Sequence, residues 1–261
     1  MKREMSVSGS FYPDTKKELE RYFAHFNQID KEKKSSVNVK SRAVIVPHAG
    51  YVYSGYTANL AYKVLANAKI KNLVVIGPSH RVAFEGVSLC GADVYDTPFG
   101  EILSAQTLVK EIREKFHLQT LLQAHAEHST EVQFPFIKHY LDGVNIVELV
   151  YGRATPQEVS QIINFVLEDE QNSVVISTDL SHFYTLKEAN EKDNLCLNAI
   201  EKLDINLLES GCEACGKIGV GAMLLSAKKL ALKAHILDYK TSANASGDTS
   251  RVVGYMSAYF D

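Results

Sequence analysis

Val175-Ile176-Ser177-Thr178-Asp179-Leu180-Ser181-His182 is an apolar run that ends in a carboxylate and a histidine. Two other stretches repeat its form, Val44-Ile45-Val46-Pro47-His48 and Val74-Val75-Ile76-Gly77-Pro78-Ser79-His80. Short runs of β-branched residues without a polar face are the mark of strands buried on both sides of a sheet. Residues 43–47, 72–77, 144–151 and 173–178 all read this way. Amphipathic stretches at 55–66, 104–116, 131–140, 156–167, 186–203 and 220–232 read as helices between and after them. That alternation predicts an α/β fold, a sheet covered by helices, in a single domain over residues 1–261.

Local signals support several boundaries. Thr155-Pro156-Gln157-Glu158 places a capping hydroxyl before a proline and a glutamate at the third helical position, and Thr15 with Glu18 repeats the capping box. Runs at 235–241 and 252–259, joined by the polar turn 242–250, are expected to close the sheet as a hairpin. The polar stretch 27–42 lacks apolar periodicity and is expected to form a solvated loop.

Composition excludes several classes. The chain is 46% apolar and 23% charged with 15 Gly and 6 Pro, which rules out disorder, collagen and coiled coil. Its 28 basic and 31 acidic residues give a net charge of −3 without a block of one sign, so neither nucleic acid nor a membrane surface is an expected partner. Apolar stretches such as 73–76 fall far short of the roughly 20 residues that span a bilayer. The start, Met1-Lys2-Arg3-Glu4-Met5, is basic but runs into Ser-Val-Ser-Gly-Ser instead of an apolar segment, so a cytoplasmic location is expected. Four cysteines, Cys90, Cys196, Cys212 and Cys215, are too few for a disulfide framework and are expected to be reduced.

Three histidines just beyond three strand ends point to a metal site, because the crevice outside the carboxyl ends of the strands is where ligands bind in open α/β sheets. Neutral imidazole binds Fe, Zn, Cu or Ni, and Asp179 is placed to orient a ring through its second nitrogen. The alternative is that each histidine is a loop residue held by a backbone carbonyl. In His125-Ala126-Glu127-His128-Ser129-Thr130-Glu131 the histidines are three apart, which is not the zinc-protease helix spacing. Glu127 and His128 either move protons and bind substrate, or the segment is structural, with Ser129 capping a helix that has Glu131 in its first turn. Cys212-Glu213-Ala214-Cys215 has dithiol spacing, and Cys215 could be a nucleophile at a helix start. With no second pair and no thioredoxin-like strand ahead of it, a packing role is expected for both. Neither phosphate-loop fingerprint is present, so no nucleotide cofactor is expected.

Ser8-Gly9-Ser10-Phe11-Tyr12-Pro13, Pro47-His48-Ala49-Gly50-Tyr51-Val52-Tyr53-Ser54-Gly55, Gly77-Pro78-Ser79-His80, Thr97-Pro98-Phe99-Gly100, Glu127-His128-Ser129-Thr130-Glu131, Asp179-Leu180-Ser181-His182-Phe183 and Val252-Val253-Gly254-Tyr255 together resemble the signature blocks of the MEMO family, also called AmmeMemoRadiSam system protein B. The blocks cover nearly the whole chain. The resemblance implies a central mixed, largely parallel sheet flanked by helices, like that of LigB-type class III extradiol dioxygenases. It also implies His48, His80 and His182 as site histidines with Asp179 beside them. The implied cofactor is a divalent transition metal, iron first, with copper or zinc as alternatives. In animal members a cysteine near the C-terminal hairpin is placed at the metal, whereas 242–249 here contains none. Asn244, Asp248 and His182 are then the candidates for the third ligand.

The leading expectation is a metal-dependent oxidoreductase with a dioxygenase-like site, catalysis falling to Asp179, His182, Glu127 and His128. Tyr51, Tyr53 and Phe183 are expected to wall its pocket. The other readings are a non-catalytic module holding a peptide or phosphoryl group in the same crevice, and a zinc hydrolase with Glu127 as base. Expected partners are a small-molecule or peptide ligand and, by resemblance, a radical-SAM protein.

Overall fold

The apolar runs become four parallel strands at the centre of an eight-stranded sheet in a computed structural model that describes residues 1–33 and 38–261. The first half of the chain holds β1 (Lys2–Arg3), α1 (Lys16–Lys33), β2 (Ala43–Val46), α2 (Tyr51–Leu65), β3 (Asn72–Pro78), β4 (Val87–Leu89), β5 (Val94–Tyr95), β6 (Ile102–Leu103) and α3 (Gln106–Phe116). After it come α4 (His128–Glu131), α5 (Phe134–Tyr140), β7 (Asn145–Tyr151), α6 (Pro156–Leu167), β8 (Asn172–Ser177), β9 (His182–Tyr184) and α7 (Leu186–Glu201). The chain then runs through α8 (Ile205–Glu209), α9 (Lys217–Lys229), β10 (Ala234–Thr241), α10 (Ala243–Ser246) and β11 (Val252–Phe260).

The strand order is β10-β11-β2-β8-β3-β7-β4, with β9 paired to β11 and a small separate sheet β1-β5-β6. β2, β8, β3 and β7 are parallel, while β11 and β4 flank them antiparallel. The α/β reading therefore holds, as does the closing hairpin of β10 and β11. Side chains alternate between the faces. Ile45, Ile76, Leu149 and Ile176 pack with Ile163 of α6 and Leu224 of α9. Val44, Val75, Ile146 and Val175 pack with Phe23 of α1, Tyr62 of α2 and Phe136 of α5. Each fully buried aliphatic side chain contributes about 1.5–3 kcal/mol, so covering both faces is what makes the uninterrupted apolar strands stable.

The predicted capping box of Thr155 with Glu158 forms, and at α1 Thr15 Oγ1 accepts the Glu18 N–H and donates to the Glu18 carboxylate. The expected loop at 27–42 is helical up to Lys33, and residues 34–37 lie outside the described residues. Tertiary contact overrides the polar composition there: Asp30 pairs with Lys63 of α2, Ile29 packs against the core, and Gln28 donates to Glu32 at 2.8 Å. The expected helix 131–140 is two pieces, because Pro135 cannot donate within a continuous helix and instead starts α5. The cysteines also depart from expectation. Cys196 of α7 and Cys212 form a disulfide, their Cα atoms 4.9 Å apart after the chain doubles back through α8. Among the described residues no helix is long and apolar enough to cross a membrane.

Candidate metal centre

Parallel register sets the site. Ile45, Ile176 and Ile76 lie side by side across β2, β8 and β3, so the residues following these three strands emerge together. His48 follows β2, Asp179 follows β8 and His80 follows β3. A third imidazole reaches them from α4: His128 lies 4.6 Å from His80 and 5.3 Å from His48 between ring centroids, and His48 and His80 are 5.2 Å apart. One nitrogen from each ring falls within 4.8 Å of the other two, so the three residues could hold a metal ion.

Each ring is oriented through Nδ1. Glu127 Oε1 accepts from Nδ1 of His128 at 2.8 Å and of His80 at 3.1 Å. The same carboxylate accepts the backbone N–H of Ser129 at 3.1 Å and of His80 at 2.7 Å. Burial alone would raise the Glu127 pKa, but these donors outweigh it and hold the carboxyl well below its ordinary value. Glu127, not Ser129, therefore caps the helix, and it is an anion. His48 Nδ1 lies 2.9 Å from Ser177 Oγ. Ser177 has one proton, which it donates to Ser129 O, and its oxygen also accepts from Gln133 Nε2 at 3.0 Å. His48 Nδ1 must then be the donor. Burial, with His80 and His128 close by, lowers the His48 pKa well below the usual imidazole value and keeps the ring neutral. A neutral ring that donates through Nδ1 keeps its lone pair on Nε2, the state that a transition metal requires of imidazole.

Two further groups close around His48. Cys215 Sγ lies 3.3 Å from His48 Nε2, and Asp179 accepts the backbone N–H of His48 at 2.8 Å, with Oδ2 at 3.9 Å from the ring. Burial raises the Asp179 carboxyl to about 7 and, with Asp179 beside it, pushes the Cys215 thiol up to about 12. This is opposite to the lowering expected of a thiol at a helix start. Two glycines permit these approaches. A Cβ on Gly216 would stand 2.6 Å from Thr178 Cβ, so α9 can bring Cys215 against β8 only with glycine there. A Cβ on Gly77 would stand 2.5 Å from Ser129 Oγ, so glycine in β3 lets α4 lie on the strand end.

His48, His80, Glu127, His128 and Asp179, all singled out in the sequence, thus meet at one place. His182 is outside the group of three: it sits on β9, paired with Val253 of β11, and the chain turns at Phe183, where φ is 65°. His182 is still near enough to His48 and His80 to interact with both rings, whereas Asn244 and Asp248 lie elsewhere. Asn244 Oδ1 accepts the Thr241 N–H at 2.9 Å, and exposed Asp248 caps Ser250. The cysteine at the site is Cys215, for which packing was expected. Its only local signal is its position just ahead of glycine at the start of a helix. Of the expected wall residues Tyr51 is buried, its hydroxyl on Val132 O, while Tyr53 and Phe183 are exposed.

A sheet that gathers oriented imidazoles at the ends of its parallel strands makes this an α/β protein with a candidate transition-metal centre. The chain belongs to the Memo-like family, whose model, described as Memo-like protein, matches residues 3–259. It is 32% identical to a MEMO1 family protein of Aquifex aeolicus, covering 99% of this chain and 98% of the relative. It is also 35% identical to a MEMO1 family protein of Sulfurisphaera tokodaii, over 100% of this chain and 99% of the relative. A third, from Methanobrevibacter smithii, is 34% identical over the full length of both chains.

Proposed function

We propose that this protein is a metal-dependent redox enzyme whose divalent transition metal, iron before copper or zinc, is held by Nε2 of His48, His80 and His128 with Cys215 beside His48. One observation carries the reading: Nδ1 of each of the three rings is already committed to Ser177 or Glu127, which leaves Nε2 as the nitrogen that can take a ligand. A bound ion would supply Lewis acidity and, as iron or copper, electron transfer. The chain's residues supply the rest. Glu127 and Ser177 fix the rings. Asp179, raised to about 7, holds or releases a proton near neutral pH, and half-buried His182 is the candidate general base.

The ligand is a small molecule or peptide with an apolar part. In support, a cavity of about 490 Å³ lined by Phe11, Tyr12, Arg21 and Tyr53 adjoins the site, Phe11 lying 4.7 Å from the His128 ring. Kinship with LigB-type dioxygenases and a radical-SAM partner belong to the same reading. The three grouped donors include no carboxylate. The two-histidine, one-carboxylate face of non-haem iron oxygenases is thus not reproduced, and catechol turnover is expected to be poor. The test is elemental analysis of protein purified without chelator, then oxygen uptake with Fe(II) and a catechol panel. Iron lost on His80→Ala with slow or no catechol turnover supports the reading. Iron binding no tighter than in a His48→Ala, His80→Ala variant overturns it and favours a non-catalytic binding module.

A further inference from the structure

Beneath the first six residues lies a second group of chemistry-bearing side chains that the proposed function does not use. The antiparallel pairing of β4 with β7 matches Leu89 to Leu149 and brings Cys90 opposite Glu148, where Cys90 N–H donates to Glu148 O at 3.0 Å. His125 ends the 3₁₀ turn Leu122–His125 over the same strands. Cys90, His125 and Glu148 are 2%, 3% and 0% exposed, and one donor atom of each lies within 4.8 Å of the others.

Two of these atoms sit in an ion pair that lacks the alignment of a hydrogen bond. His125 Nδ1 and Glu148 Oε2 are fully buried without a hydrogen-bond partner, although they are 3.3 Å apart. The other atom of each group is engaged: His125 Nε2 lies 2.9 Å from Ser88 Oγ, and Glu148 Oε1 accepts from Thr130 Oγ1 at 2.6 Å. A buried imidazole and carboxylate at that range ordinarily align as donor and acceptor. Nitrogen and oxygen ligands about 2.1 Å from one tetrahedral ion stand about 3.4 Å apart without facing each other, which matches the separation seen. The charges also leave room for a cation. Arg3 lies between Glu131 at 2.8 Å and Glu148 at 3.7 Å, so one guanidinium is set against two buried carboxylates.

We infer that Cys90, His125 and Glu148 form a second metal site, separate from the histidine centre, with the thiolate, imidazole and carboxylate donors that suit Zn²⁺. The thiol proton leaves to solvent on binding. A cavity of about 300 Å³ lined by Met5, Ser6, Leu122 and Ala126, together with Cys90 and His125, provides the entry path and space for a water as fourth ligand. Ser88 orients the imidazole and Thr130 the carboxylate, the arrangement that metal sites use to hold their ligands.

The test is Zn²⁺ titration of the intact chain, with metal counted by elemental analysis after dialysis. Two equivalents are expected in the unaltered protein, one in Cys90→Ser and one in His80→Ala. Co²⁺ bound to His80→Ala should show thiolate-to-cobalt charge-transfer absorption that disappears when Cys90→Ser is added. A single equivalent lost in Cys90→Ser but kept in His80→Ala supports this site and removes the histidine centre. Two equivalents retained in Cys90→Ser, a sole equivalent lost with His80→Ala, no bound Zn²⁺, or an absorption that survives in the double variant overturns the inference. Should Cys90→Ser fail to fold by circular dichroism, Glu148→Gln takes its place in the same count.

Discussion

Glu127 Oε1 holds His80 and His128 at once, accepting one ring N–H from each at 3.1 Å and 2.8 Å. A neutral amide cannot accept on both sides. In Glu127→Gln the NH₂ group would face either the two ring N–H groups or the backbone N–H of His80, so either the rings or the strand end that carries His80 loses its support. Metal affinity at the histidine centre should fall about 10–100-fold, the usual cost of removing such a support. Competition with a chromophoric chelator measures it, and an unchanged constant would remove the orienting role.

The ligand set can be separated by two substitutions. His128→Ala deletes a ring inside the group of three, whereas His182→Ala deletes one outside it. Affinity should drop at least about tenfold, or about 1.4 kcal/mol, in the first and little in the second. If His182→Ala costs more, the ion lies nearer β9 than the geometry of the three rings implies.

Asp179 gives a pH dependence whose sign is fixed. Burial raises its folded-state pKa from 3.8 to about 7, so the folded state holds the extra proton between those values and stability falls as pH rises through that window. Asp179→Asn removes the ionisation yet keeps an oxygen for the His48 N–H. In chelator, the variant should therefore gain in Tm relative to the parent between pH 4 and pH 7.5, by about 2–4 °C for each kcal/mol. A difference that stays flat across the range would show that the carboxyl ionises freely.

The group of Arg3, Glu131 and Glu148 is a buried ion cluster, and removing its cation leaves carboxylates without a counter-charge. Arg3→Met should cost about 3–5 kcal/mol in chemical denaturation. Despite burial, which acts to raise it, the Glu148 pKa is lowered by His125 and Arg3. Its stabilisation is present above about pH 4.5 and is lost as pH falls through the lower folded value. Arg3→Met should flatten that acid limb of the stability profile, and an unaltered limb would exclude Arg3 as its source.

Closing a loop across 16 residues, the Cys196–Cys212 bond is expected to contribute about 3 kcal/mol. Cys196→Ser should lower Tm by several degrees without changing the zinc count. Equal Tm with and without reductant would indicate that the bond is absent in solution.

The sheet and two of the metal-centre histidines were legible because both are local: β-branched runs name the strands, and His48 and His80 stand immediately beyond them. His128 was visible as a polar cluster but not as a partner of the other two, since its place depends on α4 lying over Gly77, where Ser129 bonds to Pro78 across 51 positions. Cys215 depends likewise on Gly216 meeting Thr178. His182, three residues past Asp179, looked equivalent to it, but it lies on β9, where it pairs with Val253 of β11. Glu148 was hidden inside an apolar run, where one acidic residue reads as an interruption and not as a ligand.

One turn of helix joins the histidine centre to the beginning of the chain. At one end of α4 stand Glu127 and His128. At the other, Glu131 accepts the backbone N–H groups of Ser6 and Val7 and the Tyr12 hydroxyl, each at 2.8–2.9 Å. The first dozen residues are thus a strap that clamps the far side of this turn. Trimming them, or pulling on them with a bulky fusion, would act on His128 through a lever only four residues long, so purification handles belong at the other terminus.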